Sequence, residues 1–161
     1  MFSNLEYGWV CVDIGELRVL LSYMTYLPRN WIDQAIFGLE NKLPIVVHGD
    51  QEPGRCLFTF TDKSCFAFFE DSFDRSMEDH ENEYYILPMG KMEFCQKLHK
   101  GISENLDEWT LWLSGKYLSK GQKYPYKDPN FIQDKNELIE KLHRLDELIK
   151  TNDKKGSCKH D

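Results

Sequence analysis

Apolar and polar positions change period several times along this chain, and each change marks an element. From Leu5 to Asp13, the residues Leu5, Tyr7, Trp9 and Cys11 recur at every second position, the period of a half-buried strand. Ile14-Gly15-Glu16 reads as a turn. From Leu17 to Leu27, Val19, Leu21, Tyr23 and Thr25 share one face, and Leu20, Met24 and Tyr26 share the other. The β-branched and aromatic content selects strand over helix there. Pro28 ends that strand. Asn30 is placed to cap a helix with Asp33 in its first turn. Ile32, Ala35, Ile36, Leu39 and Leu43 then follow at helical spacing up to Pro44.

Three strands with short connections come next. Ile45 to His48 is the first. The turn Gly49-Asp50-Gln51-Glu52-Pro53-Gly54 leads into Cys56–Thr61, and Asp62-Lys63 turns the chain again into Ser64–Glu70. This is the signature of an antiparallel meander. Phe58 and Phe60 share a face of one strand, Phe66 and Phe68 a face of the next. With Asp62-Lys63 as the turn, Cys65 stands opposite Phe60. Asp71 to Glu83 has almost no apolar residues beyond Phe73 and Met77 and reads as a solvated loop, or a short helix at most. Tyr84 to Leu87 is a last strand stopped by Pro88.

The period becomes helical from Met92. Met92, Cys95, His99, Ile102, Leu106, Trp109 and Leu113 recur at steps of three and four, as one helix or as two divided near Gly101 and Ser103. Lys120 to Asn130 is a loop. In the final helix Asp134 and Glu137 suit a capping box, and Leu138, Leu142, Leu145 and Ile149 form the apolar stripe. Glu137–Lys141, Glu140–Arg144 and Asp146–Lys150 are charge pairs four apart. The expected fold is α+β. It has an antiparallel sheet of five or six strands, one helix between strands two and three, and C-terminal helices. Residues 1–151 make one domain and 152–161 a polar, frayed tail.

Composition adds chemistry to this picture. Four Trp, eight Tyr and ten Phe in 161 residues supply a large apolar surface to bury. No apolar run is long enough to cross a bilayer. Met1–Glu6 has no basic region and no cleavage site, so the expected location is the cytoplasm. Cys11, Cys56, Cys65, Cys95 and Cys158 have no CxxC spacing, and their number is odd. They read as reduced thiols.

The net charge of −7 is unevenly spread. Between Glu70 and Glu83 lie seven acids and one base, against 20 acids and 19 bases in the remainder. A nucleic-acid binder needs a basic face, so that class is excluded, whereas a basic protein partner suits the charge. There is no phosphate-binding glycine loop, nucleophile elbow or paired-His zinc motif. The segment Asp79-His80-Glu81-Asn82-Glu83 has metal-ligating residue types, but its spacing matches no ligand set. Cysteines with His48 or His99 as base sit in apolar elements, where thiols are packing groups. The expectation is therefore no catalysis, no cofactor and no metal. The residues expected to meet a partner are Asp71, Asp74, Glu78, Asp79, Glu81 and Glu83, with Tyr84 and Tyr85 as aromatic anchors. Glu52 and Arg55 at the tip of an exposed hairpin join them. Two other readings of the same residues are a small metal-dependent hydrolase using the carboxylates near His80, and a non-catalytic adaptor subunit.

Tyr26-Leu27-Pro28, the helix through Leu43, and Glu52-Pro53-Gly54-Arg55 with Phe58 and Phe60 behind it carry a resemblance. In this order the elements resemble bacterial immunity proteins of polymorphic-toxin and contact-dependent growth-inhibition systems, over roughly residues 17 to 113. The resemblance implies a non-enzymatic inhibitor that binds one cognate toxin domain. Many such toxins are nucleases, whose clefts are basic because they attract phosphate. An acidic segment suits that surface.

Overall fold

The structure is a computed structural model that describes residues 1–6, 8–22, 27–52, 54–70, 83–113 and 124–157. Its elements form two antiparallel sheets and four helices. The first sheet has the order β1 (Phe2–Glu6), β2 (Trp9–Ile14), β3 (Leu17–Ser22). The second is a meander of β4 (Ile45–Asp50), β5 (Arg55–Phe60), β6 (Cys65–Glu70) and β7 (Glu83–Leu87). Helix α1 (Arg29–Asn41) joins the two sheets, and α2 (Lys91–Ser103), α3 (Leu106–Leu113) and α4 (Pro129–Ser157) follow the last strand.

The α+β class, the antiparallel pairing and the terminal helices agree with the sequence. Several details do not. The strands divide into sheets of three and four rather than forming one sheet, and α1 lies between strands three and four. The apparent strand from Leu5 to Asp13 is two strands, because Gly8 turns the chain at φ 83°. Alternation continues across that turn by coincidence, and the buried set of β2 is Val10, Val12 and Ile14, not Trp9 and Cys11. At the other end, α4 begins at Pro129 and continues to Ser157, so the expected tail boundary at 151 falls inside a helix. Asp128 caps α4 by accepting the Asn130 N–H at 2.9 Å. Asp134 lies within the helix instead, and with Glu137 it takes Arg29 of α1 at 3.6 and 2.6 Å.

Helix α1 starts with Pro28 at its N-cap, and the chain turns out of it at Lys42 in the left-handed region. Asp33 therefore lies beyond the first turn, and it pairs with Lys141 of α4. Arg144 of α4 reaches Glu40 at 2.7 Å and Glu147 at 3.4 Å, rather than the expected Glu140. These half-exposed ion pairs each contribute little. Together they set the register of two helices more than a hundred residues apart in sequence.

One apolar core joins all the layers. Val10, Val12, Ile14, Val19 and Leu21 enter it from the first sheet, and Ile45, Val47, Phe58, Phe60, Cys65 and Ala67 from the second. Trp31, Ile32, Phe94, Leu98, Trp109, Leu138, Leu142 and Leu145 enter from the helices. Phe60 and Phe94 stack at 3.9 Å between centroids, and Phe2 meets Trp109 edge-on at 4.8 Å. Gly90 lets the start of α2 sit against the Asp62-Lys63 turn, since a Cβ there would lie 2.4 Å from the Asp62 carbonyl oxygen. Lys91 completes the junction through its N–H to the Thr61 carbonyl at 2.6 Å and its ammonium to Asp62 at 2.8 Å.

Beside α3, Tyr124 donates to Glu108 at 2.7 Å, and Tyr126 donates to Asp107 at 2.8 Å. Burial alone would raise the Asp107 pKa. The hydrogen bonds from Lys135 and Tyr126 outweigh it and hold that carboxyl below its ordinary value.

Trp31 is fully buried and meets β1, β4, β5 and α2. Its ring lies 6.2 Å from Phe2, 6.1 Å from Phe58 and 5.9 Å from Phe94, and its indole N–H donates to the His48 carbonyl at 2.8 Å. Trp31→Phe keeps an aromatic ring but leaves that carbonyl unsatisfied. It should cost about 1–3 kcal/mol, plus a packing loss, and a urea unfolding midpoint measures this.

No disulfide joins Cys11, Cys56, Cys65 or Cys95; Cys158 lies outside the described residues. Cys65 faces Phe60, as the turn at Asp62-Lys63 required. Burial pushes the thiols of Cys56, Cys65 and Cys95 up to about 12, against about 8.5 for an exposed thiol. The folded state thus holds the neutral thiols that the unfolded chain would ionise. That stability is complete below the unfolded value and falls as pH rises from there toward 12. The denaturation midpoint should be lower at pH 9.5 than at pH 7.5, and iodoacetamide should label these three cysteines only after unfolding. Rapid labelling of the native protein would contradict the assignment.

Candidate functional site: the outer face and edge of the four-stranded sheet

The period of two along each strand, combined with the cross-strand register, sorts the second sheet into two faces. Ile45, Phe60, Cys65 and Leu87 form one row, and Val47, Phe58, Ala67 and Tyr85 the next. These rows face the core, and only Tyr85 among them is exposed. On the opposite face Val46, Thr59, Phe66 and Ile86 form a row, followed by His48, Leu57, Phe68 and Tyr84. A third row is charged: Asp50, Arg55 and Glu70, with Arg55 bonded to Glu70 at 2.7 Å.

The helices lie on the core side, and the outer face remains open to solvent. Tyr84 and Ile86 are 71% and 72% exposed, and Phe66 is 46% exposed. Val46 and Leu57 add to the same surface at 41% each. Phe68 and Tyr84 touch at 5.3 Å between centroids. Contiguous exposed apolar surface of this kind, rimmed by charge, marks interaction sites more often than isolated apolar residues do.

The expected partner-binding residues distribute unevenly over this geometry. Asp71, Asp74, Glu78, Asp79, Glu81 and His80 lie outside the described residues. Glu83 opens β7 and is exposed. Tyr84 and Tyr85, expected to act together, are consecutive residues of one strand and so point to opposite faces. Tyr84 belongs to the open face. Tyr85 lies on the core side, where it meets Phe69 edge-on at 5.8 Å. Its hydroxyl donates to Glu83 at 2.7 Å, and that bond raises its pKa. Glu52 is exposed in the β4–β5 turn with a positive φ of 45°, a conformation uncommon for residues other than glycine. Arg55 begins β5 at the charged row. Sequence reasoning missed Val46, Leu57, Phe66, Phe68 and Ile86. Alternation groups them by face, but it carries no signal of which face the helices cover.

Chemistry for bond-making is sparse on this surface. His48 projects from the outer face, whereas Cys56 and Cys65 point into the core from the other, so the sheet separates that base from those thiols. Among the described residues, no group of three His, Cys, Asp or Glu is arranged to hold a metal ion. A depression of about 590 Å³ along α4 is lined by Pro129, Ile132, Gln133, Asn136, Glu137 and Glu140 and is shallow. No helix among the described residues is long and apolar enough to cross a membrane. No protein-family model, curated protein or solved structure matches the chain.

Hydrogen-bond parity also distinguishes the two edges of the sheet. The Thr61 N–H donates to the Ser64 carbonyl at 2.8 Å, and the Gln51 N–H to the Gly54 carbonyl at 2.9 Å. Bonded and non-bonded pairs alternate along an antiparallel ladder. Counting from these turns, Glu83, Tyr85 and Leu87 bond to β6, and the backbone groups of Tyr84 and Ile86 point away from the sheet. At the other edge the same count turns His48 outward, and there Trp31 accordingly meets its carbonyl. Amide hydrogen exchange should therefore alternate along β7. Tyr85 and Leu87 should be protected, with Tyr84 and Ile86 exchanging faster by roughly a hundredfold, a few kcal/mol of local opening energy. Uniform protection from Tyr84 to Leu87 would show that something covers this edge.

Proposed function

We propose that this protein is a non-enzymatic binding protein that neutralises a partner with a basic surface, as immunity proteins neutralise cognate toxin domains. The observation that carries the reading is the uncovered apolar face of the second sheet, beside which β6 ends at Glu70 and β7 begins at Glu83, the two limits of the acid-rich stretch. Such a face combines what a tight inhibitor needs. Aromatic and aliphatic side chains supply affinity once desolvated, and localised charge speeds encounter with an oppositely charged partner. The acids from Asp71 to Glu81 enter as sequence, and their role is to draw the partner in by their field. Tyr84 is the aromatic anchor, and Glu52 and Arg55 lie at the charged end of the same sheet. A nuclease cleft is a suitable target because it is basic.

The open apolar face also favours a second reading, a non-catalytic adaptor whose face is covered by other subunits. The two differ in solution. An inhibitor of net charge −7 remains monomeric until it meets its partner, whereas an adaptor face of this composition associates with itself or with several proteins.

The test is co-expression with the C-terminal domain of a large exported protein encoded beside this chain. That domain alone should arrest growth, and the pair should be viable and form a one-to-one complex. Tyr84→Ala should weaken the complex by about 2 kcal/mol, mainly through faster dissociation. Its melting temperature should be unchanged, since Tyr84 buries little. Replacing Asp71, Asp74, Glu78, Asp79, Glu81 and Glu83 by Asn and Gln should slow association and flatten its salt dependence. No protection in co-expression, together with self-association of the free chain, would select the adaptor.

A further inference from the structure

The second sheet has two edges, and they are finished differently. At β4 the outward carbonyl of His48 is taken by the Trp31 indole, and α1 packs along the strand. At β7 the outward N–H and C=O groups of Tyr84 and Ile86 meet no partner among the described residues, and no described strand lies beyond them. Edge strands are ordinarily guarded by lysine, proline, a bulge or a covering element. Glu-Tyr-Tyr-Ile-Leu has one charge, Glu83 at its start, and no lysine, proline or bulge beyond it, and its register with β6 is regular throughout. The same two residues present their side chains, about 70% exposed, on the open apolar face.

From this geometry we infer that the edge of β7 pairs, by strand addition, with an extended basic segment of a partner protein. Main-chain bonds at Tyr84 and Ile86 give such a segment its affinity, and the faces give it a pattern. Side chains on the outer face continue the rows of Phe66–Ile86 and Phe68–Tyr84, so they are apolar or β-branched. Alternate side chains fall on the side of Leu87, Tyr85 and Glu83, where the exposed Glu83 carboxylate favours lysine or arginine at that end of the segment. Charge selects this occupant over a second copy of the chain, because two molecules of net charge −7 repel. The inference rests on the binding role proposed above and specifies how the binding is made.

The probe is a ten-residue peptide alternating lysine with valine and threonine, added to the whole protein labelled with nitrogen-15. Its addition should shift the amide signals of Tyr84 and Ile86 and slow their exchange at least tenfold. The same peptide with a central proline, and one with glutamate for lysine, should bind at least tenfold more weakly. Ile86→Pro removes only an outward N–H, so it should lower peptide affinity about tenfold with the β6 pairing kept, whereas Ile86→Thr should retain binding. If Ile86→Pro does not fold, the proline peptide decides the matter on the unaltered protein. Silent amides at Tyr84 and Ile86, or equal binding of the proline or glutamate peptide, would overturn the proposal. So would protection of those amides that grows with protein concentration, since a second copy would then be the occupant. Failure here with protection intact in co-expression would remove the edge and leave inhibition by the face standing. Success here without that protection would do the reverse.

Discussion

A single indole nitrogen decides how the two ends of this molecule differ. Trp31 must bury its ring to stabilise the fold, and a buried N–H must find an acceptor. The acceptor is the His48 carbonyl, which the ladder turns away from β5. Satisfying one group therefore satisfies the other, and it fastens α1 along the first edge of the sheet. Phe2, Phe58 and Phe94 pack on the same ring, so β1, β5 and α2 are aligned by the side chain that closes the edge. With α1 seated, the stripe of Leu138, Leu142 and Leu145 packs α4 onto the core beside α1, α2 and α3, and the pairs to Arg144 and Lys141 lie along the α1 contact.

The cost of that arrangement falls on the other side of the sheet. The inner rows are covered by α1, by Phe94 of α2 and by residues of the first sheet such as Leu21, and no described element lies over the outer ones. A sheet in solution normally carries polar residues on an uncovered face. Here the positions of Val46, Leu57, Phe66, Phe68, Tyr84 and Ile86 are apolar or aromatic. An apolar face that contributes nothing to the core costs solubility, and the binding role proposed above accounts for it. Charge acts alongside it in a separate role. Acids set how fast and with which sign of partner an encounter occurs, and desolvated aromatic surface sets how long the complex lasts.

Much of this was legible in the sequence, because it depends on local rules. Period two and turn residues identified β4 to β7, and the Asp62-Lys63 turn correctly set Cys65 against Phe60. Helical spacing gave α1, α2 and α3 and the stripe of α4, and the charge count located the anionic segment. The errors arose where a local rule met a neighbouring element. Gly8 split a strand whose alternation seemed continuous. Asp33, Asp134 and Glu137 resembled capping residues but are consumed by ion pairs between helices, which only the folded state brings together.

Period and charge thus determined the class of the fold, the pairing of the meander and the segment where negative charge collects. Tertiary structure alone decided which rows of the second sheet are core and which are surface. Alternation is symmetric about the sheet plane, and only the packing of helices and of the first sheet on one side breaks that symmetry. It also separated Tyr84 from Tyr85 in role, although they are adjacent in sequence and identical in chemistry. Likewise, hydrogen-bond parity follows from the turns, but the packing of α1 along β4, with Trp31 on the His48 carbonyl, and its absence at β7 depend on the folded chain.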